Sequence, residues 1–320
     1  MSSIGKLKLD SEVLLAPMAD VSNIAFRVLC REYGAGLAYT ELISAKSVLQ
    51  KNRKTSEMLR IADAEKPAGC QLFGDFPSDF ANAVKKLEAS FDFALYDVNC
   101  GCSVKKAVRG KYGASLMQEP EKIAEIISAI RSETKKPVSI KMRLGLKEET
   151  FLQVGRAAEK AGASALALHA RKAVQGYSGK ADWSKIAALK KAVKIPVIGN
   201  GDIWTPEDVV RMKKETKCDF EMVGRACIGN AFFFQQANAA LAGQKIPVRD
   251  ARAMQEEGER FLELAEEFEL SDNACRQYWI GFPRGLSSAP EWRKKFAEAK
   301  SLEGFGKVLD ELIRSLALSD

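Results

Sequence analysis

Short apolar runs alternate with amphipathic stretches from residue 13 to about residue 243. Apolar runs bounded by turn-forming residues are typical of buried strands, and apolar residues at every third or fourth position are typical of helices. The pattern predicts strands over residues 13–18, 37–42, 68–73, 93–99, 137–143, 165–170, 195–200 and 219–224. The clearest helices between them cover residues 78–90, 119–133, 182–193 and 205–216.

Strand-then-helix units repeated along one stretch favour a TIM barrel, in which parallel strands close into a cylinder inside a ring of helices. A doubly wound open sheet is the alternative. That fold would place a GxGxxG motif after its first strand, and the sequence has none there. We therefore predict an α/β fold with a TIM barrel as the catalytic domain, residues 1–243.

The pattern changes after residue 243, where helical spacing continues without strand-like runs. We predict a second, small all-α domain of three or four helices over residues 244–320. Basic and aromatic residues are interleaved in it, a combination typical of nucleic-acid surfaces. They are Arg276, Tyr278, Trp279, Arg284, Trp292, Arg293, Lys294 and Lys295. The alternative is a set of amphipathic helices around a tryptophan-lined core, which this stretch alone slightly favours.

Composition narrows the class of protein. A hydrophobic fraction of 46% and a charged fraction of 28% are ordinary for a globular protein. No apolar run approaches the ~20 residues that span a bilayer, and the first residues lack an apolar signal core. The seven cysteines show no disulfide spacing, which favours a reducing compartment. We expect a cytoplasmic monomer without a membrane segment, and the net charge of +7 mildly favours a polyanionic partner.

Polar residues follow the predicted strands, where the active site of a TIM barrel lies. Lys141 and Arg143 are two apart on one strand and therefore face the same side. His169 and Arg171 repeat this spacing at the end of the sixth strand. Buried cations are costly unless they face anions, so this pattern favours a binding site over a core. His169 is the only histidine, which argues against a histidine-rich metal site, and no metal is expected.

Two glycine-bearing loops follow the seventh and eighth predicted strands, GNGDI at 199–203 and GRACIGN at 224–230. In this fold, backbone N–H groups of these loops and a helix N-terminus commonly bind a phosphate. Either loop alone is compatible with a turn or a packing role, but the two in this order favour a phosphate. Flavin mononucleotide (FMN) satisfies these demands, because its ring also accepts contacts from a lysine and a glutamine.

The fourth strand ends in Asn99, Cys100, Gly101 and Cys102, and a basic loop follows over residues 105–117. A thiol at such a strand end is placed to act on a bound ring. The alternative is that both cysteines are small buried residues. In extended geometry the two would face the same way, but a turn at Gly101 leaves their directions open.

Several motifs in this order resemble the tRNA-dihydrouridine synthase family. They are LLAPMADVSNIAFRVLCREYGAGLAYTEL, DVNCGCSV, SIKMRLG, HARKAVQGYSGKADW, IPVIGNGDI and MVGRACIGN. The resemblance covers residues 12–240 and extends more weakly over CRQYWIGFPRG in the tail, which is similar to that family's RNA-binding helical domain. It implies that the chain reduces specific tRNA uridines to 5,6-dihydrouridine, with FMN as cofactor and NADPH (or NADH) as reductant.

The resemblance also implies roles for individual residues. Cys102 matches the catalytic cysteine: hydride would pass from flavin N5 to uracil carbon 6, and Cys102 would protonate carbon 5. An ordinary thiol is mostly protonated at neutral pH, which suits a general acid. Asn99, Arg143 and Arg171 would contact the flipped uracil and its backbone. The flavin ring would lie near Pro17, Met18, Ala19, Gln71, Lys141 and His169, and its phosphate near Asn200, Gly201, Asp202, Gly224 and Arg225.

The sequence departs from the family pattern in three places. Ser103 stands where a proline is common, Gly110 and Gly113 replace a GxG, and Lys172 follows Arg171 where a threonine is usual. These leave the loop geometry open. Two other functions fit parts of the pattern: a flavin barrel that acts on a free pyrimidine, such as a dihydroorotate-type dehydrogenase, and a flavin-free RNA-binding barrel. The basic, aromatic tail argues against the first, and a yellow colour of the purified protein would exclude the second.

Overall fold

The computed structural model describes residues 2–50, 52–104 and 109–318. Each predicted strand overlaps an observed one, although the first two are only three and two residues long, and three very short strands are added. The observed strands are β1 (Ser3–Ile4), β2 (Leu7–Lys8), β3 (Val13–Leu15), β4 (Ala38–Tyr39), β5 (Ile43–Ser44), β6 (Ala68–Phe73), β7 (Leu95–Cys100), β8 (Val138–Arg143), β9 (Ala165–His169), β10 (Val197–Asn200) and β11 (Phe220–Val223).

The parallel strands form one nearly closed barrel in the order β3-β11-β10-β9-β8-β7-β6-β4, and β5 also pairs with β6. Backbone hydrogen bonds join its first two strands: Leu15 N donates to Leu37 O at 2.9 Å, and Gly36 N donates to Val13 O at 2.8 Å. The predicted TIM barrel is confirmed.

Helices surround the barrel and continue beyond it. They are α1 (Ile24–Glu32), α2 (Ala45–Leu49), α3 (Arg53–Met58), α4 (Pro77–Glu88), α5 (Pro120–Glu133), α6 (Phe151–Lys160), α7 (Trp183–Ala192), α8 (Pro206–Thr216), α9 (Phe233–Leu241), α10 (Ala251–Glu267), α11 (Asp272–Gly281), α12 (Ala289–Glu298) and α13 (Leu302–Ala317). Thr205 caps α8 by accepting from Asp208 N, and Pro206 opens the helix. None of the helices in the described ranges combines the length and apolar character that crossing a membrane requires.

Alternate strand residues face the barrel interior and the surrounding helices, as the pleat of a strand requires. On β7, Leu95 belongs to the apolar cluster inside the barrel, whereas Tyr96, Val98 and Cys100 belong to the cluster between sheet and helices. The β1–β2 hairpin closes the end of the barrel where the strands begin, because Ile4 and Leu9 join the inner cluster. The sequence pattern did not predict this hairpin.

The aromatic residues of the tail form a core. Tyr278 and Trp279 are 3% and 0% exposed, and the Tyr278 ring stacks on Phe261 with centroids 3.7 Å apart. The Trp279 ring stacks on Phe296 at 5.2 Å, and Trp292 is 6% exposed. The idea that these rings form a nucleic-acid surface is therefore wrong, because helical spacing turns them inward while their basic neighbours face outward.

The tail is attached to the barrel through a buried carboxylate. Glu257 on α10 is 0% exposed and accepts hydrogen bonds from Arg249 at 2.7 Å, Ala231 N at 2.6 Å and Tyr278 Oη at 3.2 Å. Burial raises the pKa of this carboxyl group, and the nearby Arg249 opposes the shift. Helix α10, which is rich in acidic residues, thus supplies a buried anchor. The domain boundary at residue 243 stays a prediction.

Candidate active site

Strand register places polar side chains in layers inside the carboxyl end of the barrel. Gln71, Asp97 and Ser139 are register partners on β6, β7 and β8. Asn99 pairs with Lys141. Above them lies a layer formed by Arg143, His169 and Asn200, which are register partners on β8, β9 and β10. Because the carboxyl ends of parallel strands meet at one face, residues far apart in the chain come together here.

The two cysteines of the β7 end have different surroundings. Cys100 is 0% exposed in the core between sheet and helices, and burial raises the pKa of its thiol. All seven cysteines lie in the described ranges, and all except Cys102 are buried. The Cys102 backbone donates from N to Asn99 Oδ1 at 3.0 Å and accepts from Ala114 N at 2.9 Å.

The loop after Cys102 was predicted to be basic and irregular, and residues 105–108 of it lie outside the described residues. Gly113 returns to the site with φ at +63°. A Cβ atom there would lie 2.7 Å from Cys102 O, so only glycine allows this approach. The departure from the family's GxG pattern therefore keeps a glycine where the loop touches Cys102.

Lys141 lines the cavity at the centre of the site. Its Nζ donates to Asn200 Oδ1 at 3.1 Å, and Asn200 Nδ2 donates to Met222 O at 2.7 Å. Burial and then the neighbouring Arg143 lower the lysine pKa to about 8. Lys141 forms no ion pair with a carboxylate of the described ranges. Lys141 is therefore a cation that can pair with an anionic or strongly polar ligand.

His169 is a neutral imidazole. Burial is the main cause of a pKa lowered to about 2, and Lys141 and Arg143 contribute next. Arg171 Nη1 lies 3.2 Å from His169 Nε2. Because a guanidinium can only donate, Nε2 must accept, which places the imidazole proton on Nδ1.

Arg171 is 2% exposed and is held by the protein itself. It donates to Gly179 O at 2.7 Å and to Asp202 Oδ2 at 2.6 Å, besides its contact with His169. Asp202, at φ +52°, also accepts from Ala181 N. This ion pair, in which Arg171 is buried and Asp202 is partly exposed, fixes the loop after β9 against the loop after β10.

Arg143 connects the cysteine loop with the loop after β9. Its Nε donates to Gly101 O at 3.1 Å, and its Nη1 donates to Gly176 O at 2.8 Å. The guanidinium also lies over the Tyr177 ring, 5.7 Å from the centroid. It is 6% exposed, so most of its surface is committed to these contacts.

Arginines and aromatic rings alternate across the top of the barrel in an arginine–aromatic ladder made of Arg143, Tyr177, Arg225, Trp204 and Arg284. The Arg225 guanidinium lies 4.1 Å from the Tyr177 ring centroid and 4.6 Å from that of Trp204. The Arg284 guanidinium lies 5.8 Å from the Trp204 ring centroid, and its Nη1 donates to Arg225 O. The ladder thus runs from the cysteine loop to the helical tail.

Comparisons with known proteins agree on one family. The dihydrouridine synthase family model matches residues 14–317. The chain belongs to the dihydrouridine synthase family, and it is an oxidoreductase. It is 31% identical to a probable tRNA-dihydrouridine synthase of Treponema pallidum, with 99% of this chain and 97% of that one covered. It is 40% identical to a probable tRNA-dihydrouridine synthase of Aquifex aeolicus, over 70% of this chain and 72% of that one.

Solved structures support the barrel fold. An old yellow enzyme homologue from Zymomonas mobilis aligns with a TM-score of 0.53 at 13% identity, covering 71% of this chain and 88% of that one. Histamine dehydrogenase from Rhizobium sp. 4-9 aligns with a TM-score of 0.54 at 16% identity, covering 88% of this chain and 50% of that one. At these identities the likeness concerns the fold alone.

In this dihydrouridine synthase, most of the residues predicted for flavin contact line one cavity of about 80 Å³. They are Pro17, Met18, Lys141, His169, Asn200, Gly201, Asp202, Gly224 and Arg225. Gln71 is 0% exposed below the cavity, and Ala19 is exposed outside it. An open cleft of about 840 Å³ adjoins the cavity and shares Tyr177, Asp202, Trp204 and Arg225 with it.

Sequence reasoning missed Tyr177 and Trp204. Both lie in loops after strands, and they are 60% and 45% exposed. Exposed tyrosine and tryptophan rings that cluster with arginines are typical of binding surfaces. The sequence signal that could have identified them is an aromatic residue inside a glycine-containing loop at the carboxyl end of a barrel strand.

Proposed function

We propose that this chain reduces uridines of tRNA to 5,6-dihydrouridine, with Cys102 as the proton donor. The observation that carries the proposal is the position of Cys102: it is the cysteine that is not buried, and it lies near Lys141, which lines the cavity, and near Arg143. Relatives that match nearly the whole chain bear the name tRNA-dihydrouridine synthase. The expected cytoplasmic location and monomeric state stay predictions.

The residues around the cavity fit FMN chemically. Lys141 supplies a cation without a carboxylate partner among the described residues, and Gly201 and Gly224 keep the walls free of side chains. The cavity of about 80 Å³ is smaller than the ~300 Å³ or more of ordinary ligand sites. The adjoining cleft of about 840 Å³, which shares Tyr177, Asp202, Trp204 and Arg225 with the cavity, supplies further room for the ligand.

A reduced flavin would supply the hydride, with NADPH or NADH as its reductant. Lys141 would lie at the polar edge of the ring, and Arg225 with the Gly224 loop would hold the phosphate. Asn200 and Asp202 would act indirectly, since Asn200 holds Lys141 and Asp202 holds Arg171. Neutral His169 would offer its Nδ1 proton as a hydrogen-bond donor.

Cys102 would protonate carbon 5 of the uracil as carbon 6 receives the hydride. A positioned general acid is typically worth ~10²–10⁴-fold in rate. Arg143 holds Gly101 O next to this thiol through Nε, and its Nη2 group, which makes no hydrogen bond with the described residues, is the donor that would contact the uracil and its backbone. Arg171 is fully engaged by the loops, so we assign it a positioning role and not a substrate contact.

The arginine–aromatic ladder supplies a tRNA surface that the buried rings of the tail cannot. Tyr177 and Trp204 expose ring faces on which bases stack, and Arg225 and Arg284 lie beside them to neutralise phosphates. The outward basic residues of the tail, such as Arg276, Arg293 and Lys294, would extend this surface. We propose that the 244–320 region contributes charge to tRNA binding and no stacking.

The test is single-turnover oxidation of the pre-reduced, flavin-loaded protein by unmodified tRNA, with dihydrouridine counted in the product. Wild type should be yellow as purified and should turn over with tRNA but not with free uridine. Cys102→Ala should retain flavin and its reduction by NADPH but lose ~10²–10⁴-fold in uridine reduction. Cys100→Ala should cost only packing. A colourless protein, or a Cys102→Ala variant that reduces tRNA at the wild-type rate, would overturn the proposal.

A further inference from the structure

A chain of buried hydrogen bonds leads from the barrel interior to the backbone of Cys102. Ser139 Oγ donates to Asp97 Oδ1 at 2.5 Å, and Gln71 Nε2 donates to Asp97 Oδ2 at 2.7 Å. Asn99 Nδ2 then donates to Gln71 Oε1 at 2.8 Å. Finally, Cys102 N donates to Asn99 Oδ1 at 3.0 Å. The side chains of this relay lie on β6, β7 and β8 and reach the loop that carries the thiol.

The relay has a direction that Asp97 sets. An ionised carboxylate only accepts hydrogen bonds, so Gln71 must present its NH₂ group to Asp97 and its oxygen to Asn99. Asn99 must then present its NH₂ group to Gln71 and its oxygen to the N–H of Cys102. If the two amides were reversed, an NH₂ group would face the Cys102 N–H, and both donors would lose a partner.

Burying three polar side chains at this position costs free energy, which indicates that the relay has a function. Asp97, Gln71 and Asn99 are 2%, 0% and 5% exposed. Burial raises the pKa of Asp97 to about 6, although Ser139 and Gln71 stabilise its charged form. Asp97 forms no ion pair with a described basic residue, so its charge is stabilised mainly by the two hydrogen bonds and further by the positive charge of the nearby Lys141. A protein with a well-packed apolar residue at such a site is commonly as stable as one with a buried charge there, or more stable.

We propose that Asp97 is a positioning residue for Cys102 and acts through the amides of Gln71 and Asn99. It touches neither the proposed cavity nor the thiol, but it fixes the turn from Asn99 to Cys102 in one orientation. The inference rests on the proposed role of Cys102. Loss of the Asp97 charge would allow both amide groups to reverse, and the Cys102 thiol would then be held less firmly. Misplacement of a catalytic group by about 1 Å costs roughly 10²-fold in rate.

The test compares Asp97→Asn with Glu221→Gln in the flavin-loaded, full-length protein. Glu221 is also a buried strand carboxylate, 0% exposed on β11, and it forms no hydrogen bond with the relay. Asp97→Asn should lower the single-turnover rate with tRNA by about 10- to 100-fold with little change in KM. Flavin content and flavin reduction by NADPH should stay at the wild-type level. Glu221→Gln should leave the single-turnover rate, KM, flavin content and flavin reduction unchanged.

A second readout needs neither flavin nor tRNA. Because all cysteines except Cys102 are buried, iodoacetamide should alkylate Cys102 selectively in the folded protein. Asp97→Asn should change the rate of this alkylation severalfold, and Glu221→Gln should not. If the wild type binds no flavin, the proposed function fails while the relay remains testable through alkylation.

A rescue variant separates orientation from mere packing. Asp97→Asn combined with Gln71→Glu moves the carboxylate one step along the relay, where it again accepts from both neighbours and again turns the Asn99 oxygen toward Cys102. The double variant should recover most of the tRNA rate and the wild-type alkylation rate. Ser139→Ala, which removes one of the two bonds to Asp97, should show a smaller loss of the same sign. Wild-type behaviour of Asp97→Asn, or no recovery in the double variant, would overturn the inference.

Discussion

The helical tail and the top of the barrel both combine aromatic rings with cationic side chains, but they arrange them in opposite ways. In the tail, Tyr278 and Trp279 are almost completely buried and stack on other rings. At the top of the barrel, Tyr177 and Trp204 are 60% and 45% exposed and alternate with arginines. The same residue types form a core in one region and an open surface in the other.

The difference comes from the type of element. A helix that packs on a core turns every third or fourth side chain inward, so aromatic residues at that spacing are buried while neighbouring charges reach solvent. A loop at the end of a barrel strand has no such periodicity, and its aromatic side chains find partners only in nearby loops. Interleaved basic and aromatic residues therefore indicate an RNA surface only where no helical period accounts for the rings.

The largest expected contrast is in stability. Trp279→Ala should lower the free energy of unfolding by about 3–5 kcal/mol, because it leaves a cavity among stacked rings. Trp204→Ala should change it by no more than about 0.5 kcal/mol, since the ring is 45% exposed. Urea unfolding followed by circular dichroism measures both. Equal losses in the two variants would mean that the ladder is a structural element.

The second contrast is in tRNA affinity. Trp204→Ala should weaken tRNA binding by ~1–3 kcal/mol, the usual value of one base stacked on an aromatic ring. Trp204→Phe should retain most of the affinity, because it keeps a ring face next to Arg225. Filter binding with unmodified tRNA at fixed salt measures the effect. Unchanged affinity in Trp204→Ala would remove the exposed rings from the RNA surface.

A smaller effect should appear in the salt dependence of binding. Arg284→Gln should reduce the slope of log affinity against log salt by about 1, as expected for one lost phosphate contact. Lys307→Gln is the control, because Lys307 is exposed on α13 and paired with Glu303. A reduced slope in the control and not in Arg284→Gln would mean that phosphates contact α13 and not the ladder.

The smallest effect concerns His169, which lies beneath the ladder and is the chain's only histidine. Its pKa of about 2 means that NMR should find a neutral imidazole at pH 5, where a free histidine is mostly charged. Since the unfolded chain takes up a proton below about pH 6.5 and the folded chain does not, this residue lowers stability as pH falls. Arg225→Gln removes one nearby cation and should raise the imidazole pKa. A free-histidine titration curve in wild type would contradict the burial of His169.

The sequence was sufficient for the barrel because each buried strand is a short apolar run between polar turns. It also placed Lys141 and Arg143 on the same side, since side chains two apart on a strand share a face. It could not show that Gln71 lies below the cavity, because that depends on its bonds to Asp97 and Asn99 on a neighbouring strand. Two-residue strands such as β1 and β5 carry too little pattern to predict.

The seam between β3 and β11 has a consequence for synthesis. Ser11 and Asn238, which hydrogen-bond beside this seam, are 227 positions apart, and Glu12 and Lys213 are 201 apart. At ~5–20 residues per second, the first strand emerges from the ribosome roughly 10–40 s before its last partner. Throughout that interval β3 has one unpaired edge, and such edges invite pairing with other chains. The stage most exposed to such pairing is therefore the one at which the barrel is nearly complete and still open.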